Sequence, residues 1–403
     1  MKTYWVILFL FIFQACSFNS SDNFAVLQQK LARIDDPEDR QACVDRFMQK
    51  LSKKDYPIFE NDSTVVLLYQ GHARQVEMIG DVNYWTNPAA FTKIKNTDLH
   101  YLRIEIKKNS LLEYWLIING EQTQIDSLNQ YQIKNEFGLV SQIVNHNNPV
   151  YIKQLKSNSE KLYKTYLVPI QSHQYVKCHV YFPPRYNDYE YYPLAIFLDG
   201  KKYIDFGDAP TIIENLINAG KIEPIVAVFA ELGFDESSDR SSFEYFDWQS
   251  HIIANQIIEF VENRFSVLNS PEDRLLIGKS AAASINILTA LKNPDKFSNV
   301  FVQSGYLSAD NFTLNNLVKQ RYNKSINFYF QIGIYERNVS HMIIPPDETD
   351  FYQITKEFIN LLRSEKYTVK LDEFVAGHSW GNWKAHLSEG LIYFFSKKAS
   401  NPG

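Results

Sequence analysis

Basic residues never gather into a block in this chain, and the formal net charge is −5 over 403 residues. Binding to nucleic acid needs a basic stripe or patch that neutralises phosphates, so that class is set aside. Cysteine is sparse as well: Cys16, Cys43 and Cys178 are the full complement. Two distant cysteines beyond the N-terminal one predict no disulfide. None of the three stands in a Cys/His cluster with zinc-ligand spacing, and the nine histidines are scattered, so neither a metal nor another cofactor is expected. A long apolar run occurs at the N-terminus, residues 4–13, and it is too short to span a bilayer comfortably as a helix. What remains is an ordinary globular composition, 45% hydrophobic and 15% aromatic, with length enough for two or three domains.

The N-terminal run follows Lys2 and leads into Gln14-Ala15-Cys16. A charged start, an apolar stretch and a small residue before cysteine resemble a bacterial lipoprotein signal, cleaved before Cys16 and acylated there; an ordinary secretory signal cleaved nearby is the alternative. The resemblance implies export and a lipid anchor on a bacterial membrane, facing the periplasm or the cell surface, with the polar residues 17–23 as tether. Residues 24–51 read as helical, with a turn at Asp36-Pro37. Short strand-like runs follow at 65–69, 75–79, 102–106 and 114–118, a pattern that indicates a β-sandwich. Gly80-Asp81-Val82-Asn83-Tyr84-Trp85, Asn119-Gly120 and Asp126-Ser127-Leu128-Asn129 resemble motifs of immunoglobulin-like sandwiches of the carbohydrate-binding family 48 type. Trp85 is read as a core plug rather than a sugar platform. The expected division is a signal at 1–16, a tether and helical segment at 17–59, the sandwich at 60–145, a linker at 146–160 and a second domain at 161–398.

In that second domain the strands become continuous apolar runs, at 194–198 and 225–229, as strands covered on both faces must be. Helical stretches at 210–219 and 252–265 alternate with strands at 298–303, 327–332 and 369–375, and a final helix is expected at 384–397. Such alternation means an α/β domain with a mostly parallel sheet. Within it, Arg274-Leu275-Leu276-Ile277 breaks into Gly278-Lys279-Ser280-Ala281-Ala282 and a helix. A serine on a strand-to-helix elbow suits a nucleophile, because the sharp turn lifts its hydroxyl clear of the sheet. Serine needs a base, and the base needs a carboxylate to orient it. His378, in the turn Gly377-His378-Ser379-Trp380, is the preferred base; His386 and His341 compete. Glu336 follows the strand at 327–332 and lies between serine and histidine in chain order, as α/β-hydrolases require; Asp347 and Asp350 are alternatives, and Glu336 as a mere solvated charge remains open. Backbone N–H groups of Ala281 and of Lys201, in Leu198-Asp199-Gly200-Lys201-Lys202, are the candidate oxyanion donors.

Val180-Tyr181-Phe182-Pro183-Pro184-Arg185-Tyr186, Phe197-Leu198-Asp199-Gly200, the elbow, Asn293-Pro294-Asp295-Lys296-Phe297, Gln303-Ser304-Gly305 and Gly377-His378-Ser379-Trp380 with Trp383 stand in an order that resembles the esterase family of enterochelin esterase, esterase D and feruloyl esterases. The resemblance covers about residues 160–398 and implies an α/β-hydrolase domain, preceded here by a small sandwich, acting as a serine carboxylesterase without cofactor. Gly333-Ile334-Tyr335-Glu336-Arg337 is similar to the acid segment of enterochelin esterases, which favours Glu336. Arg240 and Glu244 resemble a family pair, and Arg240 and Trp380, with Lys201, Lys202 and Trp383, are the expected substrate-binding groups. The family carries two glycines after the elbow where this chain has Ala282 and Ala283, which implies a tighter turn. The resemblance implies siderophore-type or sugar-linked esters as substrates, with feruloyl or acetyl groups on polysaccharide as the alternative. A reading of another class is a lipoprotein with a degenerate hydrolase domain that binds glycan or protein.

Overall fold

The computed structural model describes residues 20–51, 53–121, 123–145, 162–171, 174–232, 242–320, 325–339 and 349–396. The expected signal peptide with Cys16 and the expected linker at 146–160 lie outside them. The chain forms two compact units that do not follow chain order: Met1–Ala73 with Phe91–Ile106, and Arg74–Ala90 with Lys107–Gly403.

Two helices open the first unit, α1 (Ser20–Leu31) and α2 (Pro37–Lys50). Their boundary falls at Asp36-Pro37 because the Asp36 carboxylate accepts from the N–H groups of Glu38 and Asp39, while proline occupies the first helical position, where no N–H is needed. Strands then run β1 (Ile58–Asn61), β2 (Thr64–Gln70), β3 (Val76–Gly80), β4 (Ala89–Ala90), β5 (Thr92–Lys93), β6 (Leu99–Glu105), β7 (Leu111–Ile118), β8 (Thr123–Gln124), β9 (Gln132–Asn135) and β10 (Gly138–Val144). The runs read from the sequence are β2, β3, β6 and β7. They make two sheets, a four-stranded one in the order β1-β2-β6-β5 and a six-stranded one in the order β4-β3-β7-β10-β9, with β8 on β7. The first sheet belongs to the first unit; the second belongs to the unit that holds the elbow.

The rest of the second unit is an eight-stranded sheet built from β11 (Tyr163–Gln171), β12 (Gln174–Tyr181), β13 (Leu194–Leu198), β14 (Val226–Glu231), β15 (Arg274–Lys279), β16 (Asn299–Gln303), β17 (Asn327–Gly333) and β18 (Thr368–Phe374). Its order is β11-β12-β14-β13-β15-β16-β17-β18, antiparallel through β12·β14 and parallel from there on. Successive side chains alternate between two cores: Leu194, Ile196, Leu276 and Val300 enter one, Ala195, Phe197, Leu275 and Phe301 the other. Both faces are thus apolar, which is why these strands read as unbroken hydrophobic runs. One face is covered by α5 (Phe243–Ile252), α6 (Ile258–Glu262), α7 (Ser280–Lys292), α8 (Ala309–Gln320) and α9 (Phe351–Ser364); the other by α3 (Gly200–Asp205), α4 (Ala209–Asn218) and α10 (Trp380–Phe395). From the central β13 the chain goes to β14 on one side and then crosses to β15 on the other. Such a switch point opens a crevice at the carboxyl ends of the strands.

Two helices differ from their expected bounds. The one expected at 252–265 begins at Phe243, capped by Ser242, and passes through a wide turn at Ile253–Ile257 before α6, an insertion that periodicity does not reveal. The last helix starts at Trp380, because the Ser379 hydroxyl caps it by accepting from Asn382 N–H; Trp380 and Trp383 are therefore first-turn helical residues whose indoles are buried. Gly390 of α10 lies directly on the sheet, where a methyl group would collide with the Phe301 ring, itself stacked on Tyr329 at 5.2 Å. Gly390→Ala should lower the unfolding free energy by about 1–3 kcal/mol through overpacking, as measured by denaturant titration.

Candidate active site

The six residues of β15 are all buried, and the strand passes without a loop into α7. The joint is Ser280, whose φ of 49° lies in the left-handed region, a conformation costly for a residue with a side chain. Room for so abrupt a turn comes from Gly278: a Cβ there would sit 2.8 Å from the carbonyl of Ala282 and the nitrogen of Ala283. The alanines that replace the family's glycines are accommodated, Ala283 being fully buried within the core and Ala282 nearly so. Ser280 itself remains partly accessible.

His378 stands in the loop after β18 and Glu336 in the turn after β17. The His378 Nε2 is 3.2 Å from Ser280 Oγ, and its Nδ1 is 2.8 Å from Glu336 Oε2. Three groups brought together from the ends of β15, β17 and β18 therefore form one hydrogen-bonded chain. Glu336 is fully buried, so it is not a solvated loop charge. Its other oxygen accepts from Gly333 N–H and from the Ser304 hydroxyl, each at 2.7 Å. Ser304 in turn accepts from Trp383 Nε1 at 2.9 Å. The imidazole is held edge-on between Phe351 at 5.0 Å and Trp383 at 4.9 Å.

The competing residues have other places. His386 is buried in α10, stacked on Phe374. Asp350 caps α9, accepting from Gln353 N–H. His341 and Asp347 lie outside the described residues, as does Arg240. Glu244 is exposed in the first turn of α5. Cys43 and Cys178 are both free and buried, and burial pushes the Cys178 thiol up to about 12, which leaves it unreactive.

The N–H of Ala281 lies in the first turn of α7 and that of Lys201 in the first turn of α3, positions without an intrahelical acceptor. Parallel register pairs Phe197 with Ile277, so the two turns leave the sheet side by side. The Lys201 side chain points elsewhere, to Asp205.

Ser280 and His378 open into a cavity of about 970 Å³. Aromatic rings line much of its wall, among them Tyr245, Tyr306 and Tyr335 from the hydrolase portion, Trp115 of β7 and Trp85 of the turn between β3 and β4. Trp85 is thus half-buried at the cavity rather than a core plug, its ring 5.2 Å from that of Trp115. The described cations here, Lys279 and Lys202, are matched. Lys279 binds Asp199 at 3.2 Å and lies over the rings of Trp380 and Trp383; Lys202 lies 3.6 Å from Glu136. Burial alone would raise the Asp199 carboxyl, but Lys279 and Lys202 outweigh it and hold the group below its ordinary value. Trp380, expected to bind substrate, is 2% exposed and donates to Glu136, so it backs the cavity wall. Sequence reasoning missed Lys279, Trp115, Ser304 as a partner of the acid, and the buried pair Asp81 and Glu113. Glu113 had a signal: a carboxylate in the midst of the apolar run of β7.

The arrangement is that of a serine esterase on an α/β-hydrolase scaffold. The family model named Esterase, described as "Putative esterase", matches residues 171–394, more than half of the chain, and the chain belongs to that family. Among curated proteins it is similar to the uncharacterized protein YjcH of Bacillus subtilis, 24% identical over 215 residues, covering 53% of this chain and 88% of that protein. Solved structures with the same fold include the enterobactin esterase of Shigella flexneri, with a TM-score of 0.65 at 16% identity, covering 83% of this chain and 94% of that one. The ferric enterobactin esterase of Salmonella typhimurium gives 0.66 at 13% identity, covering 82% and 93%.

Gly278→Ala should reduce turnover of a chromogenic ester by more than about tenfold while leaving KM largely unchanged, because displacing the elbow moves Ser280 rather than the cavity wall. Steady-state kinetics on the folded variant checks this.

Proposed function

We propose that this protein hydrolyses carboxylic esters through a Ser280, His378 and Glu336 triad. The observation that carries the reading is the unbroken hydrogen-bond chain from the buried Glu336 through His378 to Ser280. With Nδ1–H donated to the carboxylate, Nε2 is the unprotonated nitrogen, and it takes the hydroxyl proton as Ser280 attacks the carbonyl carbon. The carbonyl oxygen, gaining charge, is met by the N–H groups of Ala281 and Lys201. His378 then gives its proton to the departing alkoxide, and water, activated by the same imidazole, releases the acid. Glu336 keeps the tautomer and offsets the imidazolium charge.

The cavity supports a bulky ester with an aromatic portion, since its wall is aromatic and its described cations are already neutralised by Asp199 and Glu136. Catecholate siderophore esters and feruloyl sugar esters both answer that description; the paired charges favour the feruloyl class, in which no strongly anionic ligand needs a basic pocket. Ser280→Ala or His378→Ala should lower kcat/KM by at least about 10⁴-fold, and Glu336→Gln by roughly 10²–10⁴-fold, with fluorophosphonate labelling lost in Ser280→Ala. A panel of feruloyl, acetyl and catecholate esters ranks the substrates, and products formed with and without an added alcohol separate hydrolysis from acyl transfer. A folded wild type silent in both turnover and labelling would favour the glycan- or protein-binding reading instead.

The N-terminal Lys2, apolar run and Cys16 support an exported protein held to a bacterial membrane by lipid on Cys16. Among the described residues no helix is long and apolar enough to cross a membrane. Metabolic labelling with palmitate in a bacterial host should mark the full chain, and Cys16→Ser should abolish the label; equal labelling of both would refute acylation at this residue.

A further inference from the structure

Two carboxyl groups lie buried beside the histidine loop, and the mechanism above does not use them. Asp81, just beyond β3, and Glu113, within β7, are each 2% exposed. Asp81 accepts from Glu113 N–H at 2.7 Å, from Trp85 Nε1 at 2.9 Å and from Gly377 N–H. The carboxylate can approach because residue 377 has no side chain; a Cβ there would collide with Asp81. Glu113 accepts from Gly381 N–H at 2.9 Å and hydrogen-bonds with the side chains of Ser379 and Gln142. A Cβ on residue 381 would stand 2.6 Å from Glu113 Oε1. Leu111 N–H, from the same strand as Glu113, donates to Val375 O at 2.9 Å. His378 is therefore bracketed by ties at 375, 377, 379 and 381, all from the β3 and β7 side.

We propose that Asp81 and Glu113 are positioning residues: they clamp the loop that presents His378 to Ser280. The inference rests on His378 acting as the base. Burial first, and then the neighbouring Asp81 charge, push the Glu113 carboxyl up to about 8; burial pushes Asp81 up to about 6 against the pull of its N–H donors. Among the described residues, Glu336 also faces the pair and raises Asp81 further, and Tyr335 faces it too, its phenol itself raised by burial and by Tyr84 and Asp81. Because both acid values are raised, the stabilisation belongs to the protonated form. It is complete below the ordinary carboxylate range and, for Glu113, is lost as pH rises through about 8, when two like charges share one buried site.

The test uses the full chain, a chromogenic ester across about pH 5–10, and hydrogen exchange of residues 375–383 compared at one pH. Glu113→Ala should lower kcat by about 10–10²-fold with KM within about threefold, and should speed exchange of the loop. Glu113→Gln keeps the acceptor for Gly381 and carries no charge, so it should restore most of kcat and extend activity above pH 8, where the wild type declines. An unchanged alkaline decline in Glu113→Gln, or loop exchange in Glu113→Ala no faster than in wild type, overturns the proposal. If Glu113→Ala does not fold, the Glu113→Gln profile decides. A wild type without turnover would count against the triad, whereas the exchange comparison still judges the clamp.

Discussion

A carboxylate with no exposure to water is costly unless its oxygens are met by donors, and Glu336 satisfies this requirement with three. Gly333 N–H, the Ser304 hydroxyl and His378 Nδ1 all lie within 2.8 Å of it. Those donors come from the end of β17, the turn after β16 and the loop after β18, so the acid is satisfied when three neighbouring parallel strands end in register. Gly333 allows the closeness, since a side chain there would collide with the Ala376 carbonyl. Trp383 extends the chain by donating to Ser304, which ties the last helix to the same point. The geometry of the serine and histidine follows from where this one charge can be buried.

Beneath it the sheet carries polar side chains that satisfy one another. Tyr203 donates to Gln303, Gln303 to Gln331 and to the Trp383 carbonyl, and Gln331 to the His386 carbonyl. Such a network, fully paired, fixes rotamers more firmly than an apolar core would. Above it the cavity reverses the balance, with aromatic walls and cations already matched by carboxylates. The floor is polar and paired, whereas the walls are largely aromatic.

The six-stranded sheet has a part in this that its position in the chain does not suggest. With the connection between β3 and β4 it supplies Trp85 and Trp115 to the cavity wall, and Asp81, Leu111 and Glu113 to the loop of His378. On β7 the backbone of Leu111 bonds the histidine loop, and the side chains of Glu113 and Trp115, of the same parity, meet that loop and the cavity. A strand buried on both faces explains why four successive residues, Leu111 to Tyr114, are hidden although one of them is acidic.

The strands of the main sheet, the elbow at Ser280, the turn at Asp36-Pro37 and the turn that holds His378 were all legible, because alternation, glycine placement and turn chemistry are local properties of a few neighbouring residues. The acid was legible as a choice among Glu336, Asp347 and Asp350. The start of the last helix was read late, at 384 rather than at Trp380, although its Ser379 cap is equally local, and Trp85, in the turn between β3 and β4, was misread because its surroundings come from Trp115 and the serine cavity. By itself the sequence determined the class of fold and the strand-to-helix elbow that carries Ser280. The tertiary structure decided which carboxylates are buried and what they hold: Glu113 and Gly381 are 268 residues apart, and the cost of hiding a charge is set by the donors that folding brings to it.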